Sequence, residues 1–264
     1  GRQLSDGTYE KIWVGGNQEG YEPGVLIAYK ADGLYRSWDE IPGDLVVTSG
    51  NYFGKKMYGP EAWKKLSAAE QKNALPIQPG DVKWRDINGD GMIDNYDQVV
   101  VGNTNPHWIG GFNTTLRWKN FQLYGRFDFA FDYWIYDNTT PWFLGCMQGT
   151  YNTTKDVFNT WSEENPNAKY PRMYGQNPTV GSNYGRKTDK YLSNAAYFRI
   201  KNVTLSYTVP KTWISRIGLN QLKGFVSVEN LATFSSLPSG IDPETLSWNY
   251  PAFRTVSFGI NFTL

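Results

Sequence analysis

Twelve consecutive residues, Asp86-Ile87-Asn88-Gly89-Asp90-Gly91-Met92-Ile93-Asp94-Asn95-Tyr96-Asp97, crowd oxygen donors into one short stretch. A twelve-residue calcium loop draws its ligands from the first, third, fifth, ninth and twelfth side chains and the seventh carbonyl, and glycine at the sixth place makes the sharp turn. Asp86, Asn88, Asp90, Asp94 and Asp97 occupy the side-chain places, Met92 supplies the carbonyl, and Gly91 stands at the turn. The last place holds Asp where an EF-hand has Glu, and no strong helical pattern precedes the loop. Two readings follow. One is a structural calcium site that stiffens a loop; the other is an Asp/Gly-rich turn closed by its own hydrogen bonds, without metal. Neither performs chemistry on a substrate.

Asp128 and Asp132 flank a second candidate, with Arg126 on the same alternation. Two carboxylates can share acid and base work, as in glycosidases. Charges on the wet side of a strand more often hydrate a lumen or pair with a neighbour. Trp134, Trp142, Phe143, Trp161, Tyr170 and Tyr174 sit in or beside a long polar stretch, where aromatics stack on sugar rings or pack the segment on itself. Trp134, Trp142, Trp161, Tyr174, Asp128 and Asp132 are therefore the weak substrate-contact candidates. One histidine, His107, and one cysteine, Cys146, leave no intrachain disulfide and no multi-cysteine metal site. No catalytic residue is assigned, and no enzymatic activity is expected. A net charge of +1 supplies no basic stripe for phosphates, so nucleic acid is not an expected partner.

The elements that must carry these residues declare themselves by alternation. From Phe121 to Tyr133, Phe121, Leu123, Gly125, Phe127, Phe129, Phe131 and Tyr133 share one face, opposite Gln122, Tyr124, Arg126, Asp128, Ala130 and Asp132. Soluble strands average about 5–6 residues, whereas a tilted strand crossing a bilayer needs about 9–11. Similar runs occur at His107–Trp118, Phe198–Val209, Leu222–Phe234 and Phe253–Leu264, with shorter ones at Tyr9–Val14 and Val25–Tyr29. Mean hydropathy is −0.54, and no stretch is long and apolar enough for a membrane helix. A β-barrel tolerates that value because half of each strand faces water, and its interfacial girdles suit an aromatic content of 16%.

Connections alternate in length. Lys119-Asn120 is a tight turn and Lys211–Ile217 a short helical link, whereas residues 35–106 and 134–190 form long segments. In an outer-membrane barrel the long ones face outward and the short ones the periplasm. The pattern predicts a short helix behind the capping box Ser67-Ala68-Ala69-Glu70, and a helical turn near Asp156–Trp161. The expected fold is all-β, an antiparallel transmembrane barrel segment of about seven strands with long extracellular loops. Neither an initiator Met nor a signal peptide opens the chain at Gly1-Arg2-Gln3-Leu4, so a piece of a longer exported protein is expected. The alternative is a soluble extracellular β-sandwich that binds carbohydrate, with a calcium-stabilised loop.

Three stretches carry a family resemblance. The first is Tyr29-Lys30-Ala31-Asp32-Gly33-Leu34-Tyr35, followed by Pro79-Gly80-Asp81-Val82-Lys83-Trp84-Arg85-Asp86-Ile87-Asn88-Gly89-Asp90-Gly91. The second is Tyr197-Phe198-Arg199-Ile200-Lys201-Asn202-Val203-Thr204-Leu205-Ser206-Tyr207-Thr208-Val209-Pro210. The third runs from Val228-Glu229-Asn230-Leu231 through Gly240-Ile241-Asp242-Pro243-Glu244 to the last strand. In order and spacing the chain resembles the carboxy-terminal region of SusC/RagA-type TonB-dependent outer-membrane transporters. The resemblance implies a plugged barrel of 22 strands, of which this chain supplies part of the wall. It also implies uptake of oligosaccharides or peptides, a SusD-like surface lipoprotein as lid, and TonB acting through an amino-terminal region missing here.

Overall fold

The computed structural model describes all residues except 1–2, 4, 10, 15, 49–54, 146–151, 175–181, 238–240 and 246–251. Cys146 lies outside the described residues. The chain divides into two units, one of residues 1–102 and 136–192, the other of 103–135 and 193–264.

The second unit is a wall. Its strands are β1 (Trp108–Trp118), β2 (Phe121–Phe131), β3 (Tyr197–Thr208), β4 (Gln221–Ser235) and β5 (Thr255–Thr263). They form one antiparallel sheet in the order β5-β4-β3-β2-β1, each pairing with its neighbour in the chain. Trp118 pairs with Phe121 across the two-residue turn. Lys119 there takes φ +52°, the positive value that a two-residue hairpin turn requires at its first position. From Trp108 to Trp118, ten steps of about 3.4 Å tilted by about 40° give a height of ~26 Å, close to the apolar band of an outer-membrane barrel.

Five strands, not seven, make this sheet. Val25–Tyr29 is a strand, but it pairs with Gln98–Asn103 in a separate two-stranded sheet. Within 9–14 the described residues contribute only isolated bridges, Tyr9 to Gln3 and Val14 to Asn17. Those two stretches are bounded by Gly-rich turns, and their pairing partners lie inside the first unit. The long thirteen-residue alternation also stops early. Asp132 adopts φ +58°, which ends β2 at Phe131 and turns Tyr133 off the apolar face. Tyr133 is 3% exposed, packed with Ala130, Ala195 and Tyr197, and donates its hydroxyl to the Pro243 carbonyl at 3.1 Å.

The first unit gathers what the sequence presents as long loops into packed structure. Tyr29, Tyr35, Ile41, Leu45, Val47, Met57, Ile77, Val82, Trp84 and Ile93 form one buried core. Leu144, Tyr170, Tyr184 and Tyr191 form another. Its strands are two to six residues long, joined by polar turns. The capping box forms as expected: Ser67 accepts from the Glu70 amide and the Glu70 carboxylate accepts from the Ser67 amide, starting the helix Ala68–Gln71. A 3-10 turn covers Lys155–Asn159, and a helix at Lys211–Ile214 with a 3-10 turn at Ser215–Ile217 makes the link between β3 and β4.

Candidate functional site

The wall has two chemically opposite faces. On one, Phe112, Leu116, Phe121, Leu205, Val226, Phe234, Val256, Phe258, Ile260 and Phe262 each expose 38% or more of their surface. Two aromatic rows cross this face. One joins Phe112 to Phe127 at 4.7 Å, Phe127 to Phe198 at 5.9 Å and Phe198 to Phe234 at 6.5 Å between ring centres. The other joins Trp118, Phe121 and Tyr207 at 6.3 and 4.7 Å. So much exposed apolar area is untenable in water and is the natural outer surface of a barrel in lipid.

The other face is polar. Asn113, Thr115, Gln122, Tyr124, Arg126, Asp128, Asn202, Thr204, Ser227 and Glu229 meet across the ladder. Thr204 shares a hydroxyl hydrogen bond with Ser227 at 2.7 Å, and the Asn202 amide donates to Ser227 at 2.9 Å. A bulge keeps the faces sorted. Arg126 pairs with Asn202 but Phe127 with Ile200, so Lys201 is the extra residue and both it and Asn202 point inward. Glycine makes room for ring packing: a Cβ on Gly259 would stand 2.3 Å from the Phe225 ring.

Asp128, a sequence candidate, sits in this polar stripe. Lys201 Nζ approaches it to 3.2 Å and Arg126 Nε to 3.6 Å. Asp132 does not join it; its carboxylate meets His107 Nδ1 at 2.8 Å. The two carboxylates are separately paired, so they do not form the acid/base couple considered from sequence. The cluster that sequence reading missed lies beside Asp128. Arg199, 2% exposed at its side chain, donates to Asp242 at 2.7 Å, to Glu244 at 2.6 Å and to the Thr233 hydroxyl at 2.9 Å. Lys201 also reaches Glu244 at 2.7 Å. The Arg-x-Lys spacing of Arg199 and Lys201 and the acid pair of Asp242 and Glu244 were the available signals, but 43 residues separate Arg199 from Asp242.

The aromatic candidates are dispersed. Trp134 belongs to the wall unit; Trp142, Trp161 and Tyr174 belong to the first unit. Trp142 is 46% exposed and packs edge-on to Phe143 at 5.4 Å. Trp161 lies over Gly80 and under the Arg172 guanidinium at 5.4 Å. The Tyr174 hydroxyl is bound to the Asp81 carboxylate at 2.7 Å. Asp81, 1% exposed, also accepts from the Asn183 amide and the Gln78 backbone at 2.9 and 2.8 Å. Burial outweighs these donors and pushes its pKa up to about 6.

The aspartate loop is closed by its own backbone. Asp86 accepts from the amides of Gly89 and Gly91, both at 2.7 Å. Asn88 accepts from Asp90, Asp90 from Met92, and Asp94 from Tyr96. Asp97, fully buried at the base, accepts from Ile87 at 2.8 Å and Asp94 at 2.7 Å. Its pKa is raised, chiefly by desolvation. Among the described residues no three His, Cys, Asp or Glu side chains converge as a metal-binding group. Asn88 and Asp90 are exposed, Asp86 is half-buried against the Gly89 and Gly91 amides, and Met92 is 38% exposed.

No family model matches the chain. It is 32% identical over 228 residues to TonB-dependent receptor P3 of Formosa agariphila, covering 80% of this chain and 22% of that protein. It is a relative of the TonB-dependent receptors. TonB-dependent receptor P26 of the same organism is 28% identical over 233 residues, and TonB-dependent receptor SusC of Bacteroides thetaiotaomicron 23% over 215. These alignments cover 80% and 77% of the chain. The fold matches a chain in the structure of the RagAB peptide transporter with a TM-score of 0.62 at 18% identity, over 98% of this chain and 25% of the other. The chain thus spans about a fifth of the length of the curated relatives it matches. Such receptors are outer-membrane β-barrels, and the two-faced sheet here is barrel wall.

Proposed function

We propose that this chain forms part of the wall of an outer-membrane importer that takes up oligosaccharides or peptides with energy delivered through TonB. The observation that carries the reading is the sorting of faces across all five strands, apolar rings outward and an ion-paired polar stripe inward. The kinship to TonB-dependent receptors supports it. A SusD-like surface lipoprotein is the proposed partner over the long-segment side, and the remainder of the barrel pairs with the free edges of β1 and β5. We propose residues 35–106 and 134–190 as extracellular, with Trp142 and the other loop aromatics as contacts for substrate or lid. Calcium is proposed for the aspartate loop, where Asp86, Asn88 and Asp90 could add a cation to a frame their hydrogen bonds already hold. Transport, not catalysis, is the activity.

The soluble-sandwich reading fares worse. A sandwich buries one face of each sheet, yet Phe258, Ile260 and Phe262 remain 64–78% exposed. The test is uptake by cells carrying the complete transporter and its neighbouring lipoprotein, offered fluorescent oligosaccharides and fluorescent peptides in parallel. Saturable uptake of one class, lost without TonB, is expected. Binding of either ligand by a detergent-free soluble form, with no TonB-dependent uptake, sinks the proposal.

A further inference from the structure

Between β4 and β5 the segment Ile241–Thr245 folds onto the inner side of the wall, and among the described residues its ties to the wall run through side chains. Arg199 grips both Asp242 and Glu244. Lys201 bridges Glu244 to Asp128, at 2.7 and 3.2 Å. The hydroxyls of Tyr133 and Tyr197 reach the Pro243 carbonyl and the Glu244 carboxylate at 3.1 and 3.3 Å. The backbone hydrogen bond of the segment that is seen, Thr245 to Asp242, is internal to it. Among the described residues no ladder joins it to the sheet, and the β3–β4 pairing does not include it.

We infer that Ile241–Thr245 is a releasable strap across the inner face of the barrel wall, latched by Arg199 and Lys201, and that its detachment is a conformational step of the transport cycle. The chemistry suits a latch. Two cations face three carboxylates, Asp128, Asp242 and Glu244, so each charge let go by the strap still has a neighbour on the wall or in water. Within the strap the Asp242 carboxylate accepts from the Glu244 amide at 2.9 Å and its carbonyl from Thr245, so the turn is held by its own residues; the same carboxylate also accepts from the Ala252 amide ahead of β5 at 3.2 Å. Lys201 owes its inward aim to the bulge, which ties the latch to the construction of the wall. The release step rests on the importer reading; the latch itself does not.

The test uses the complete transporter in the outer membrane of intact cells, with every native cysteine, Cys146 included, replaced by serine and a reporter cysteine, Pro243→Cys, on the strap. Pro243 is buried, so a water-soluble maleimide should label the reporter slowly while the latch holds. Asp242→Asn with Glu244→Gln, which removes the strap's charges and spares the wall, should speed labelling at least tenfold. Arg199→Met should do the same, and Arg199→Lys should be intermediate. Assembly is checked by heat-modifiable migration of the barrel; if Arg199→Met fails to assemble, the strap-side double variant decides alone. Unchanged labelling in that variant overturns the latch. With the latch intact, collapsing the proton-motive force should slow labelling severalfold. Equal rates with and without it would leave the latch standing as a fixed anchor and overturn the release.

Discussion

The two units of this chain bury hydrophobic residues by opposite rules. The first unit hides Ile93, Met57, Val47 and Tyr35 in a core, and the two carboxylates buried there, Asp81 and Asp97, are held by neutral amide donors. The wall unit displays Phe258, Ile260 and Phe262 and buries Arg199 among acids. One composition, read through two solvents, gives both outcomes. Burial in the first unit is against protein; in the wall it is completed by lipid. Exposure alone therefore does not separate core from surface in this molecule. What separates them is whether the residue alternates with polar neighbours over ten or more positions.

Substitutions that remove apolar volume should break the comparison most sharply. Ile93→Ala leaves a cavity in a protein core and should cost about 2–5 kcal/mol, read by denaturant unfolding of the complete protein. Ile260→Ala, 71% exposed in the structure, leaves space that lipid refills, and should cost under ~1 kcal/mol in bilayers. Equal penalties would mean that the outer face packs against protein. Charge insertion should reverse the ranking. Phe258→Arg places a cation in hydrocarbon at an expected ~2–4 kcal/mol. Phe158→Arg, at 85% exposure in the first unit, should stay within about 0.5 kcal/mol.

A smaller effect comes from pH. The folded pKa of Asp81, about 6, lies above its ordinary value of 3.8. Between those values the folded state holds the extra proton, so the contribution of this group to stability is present below pH 4 and declines as pH rises to 6. Asp81→Asn should flatten that decline, measured as amide exchange protection at Gln78 after correction for intrinsic rates. A steeper fall in the variant would contradict the burial argument. The smallest change expected is in the aspartate loop. Asp90→Ala should loosen the turn around Met92 locally and leave barrel assembly intact. Millimolar calcium should protect the amides of Gly89 and Gly91 in the parent and not in the variant; no calcium response in either leaves the hydrogen-bonded turn as the whole account.

The wall was legible in the sequence because period-two patterning over eleven or more residues has few competing explanations. β1 to β5 lie within a residue or two of their alternating runs, and the capping box at Ser67 formed on the expected residues. The first unit was legible only locally, in the strand Val25–Tyr29 and the helix behind Ser67. Strands such as Val46–Val47 and Met92–Ile93 are too short for a period, and they pair in parallel across 45 residues of chain. Tyr133 misled because a φ reversal at Asp132 leaves no trace in hydropathy. The site was only half visible: Asp128 was on the candidate stripe, but the burial of Arg199 depends on acids far along the chain. The aspartate stretch folds as a loop closed by its own hydrogen bonds, one of the two readings its residues allow, and calcium there is a proposal.

The extra residue at Lys201 makes β3 sensitive to its reading frame. Upstream of it the even-numbered Phe198 and Ile200 face outward; downstream the odd-numbered Val203, Leu205 and Tyr207 do. Deleting Lys201, with the downstream pairs held, would set Ile200 directly before Asn202, still opposite Phe127, and leave Arg199 opposite Asp128, so both faces survive and the loss is the ion bridge from Asp128 to Glu244. Inserting one more residue beside it would either leave a second position unpaired or slide Tyr197–Ile200 by one place and exchange their sides, turning the Arg199 guanidinium toward the bilayer. The bulge is thus a stretch of spare length, and drift here should shorten the strand more readily than lengthen it.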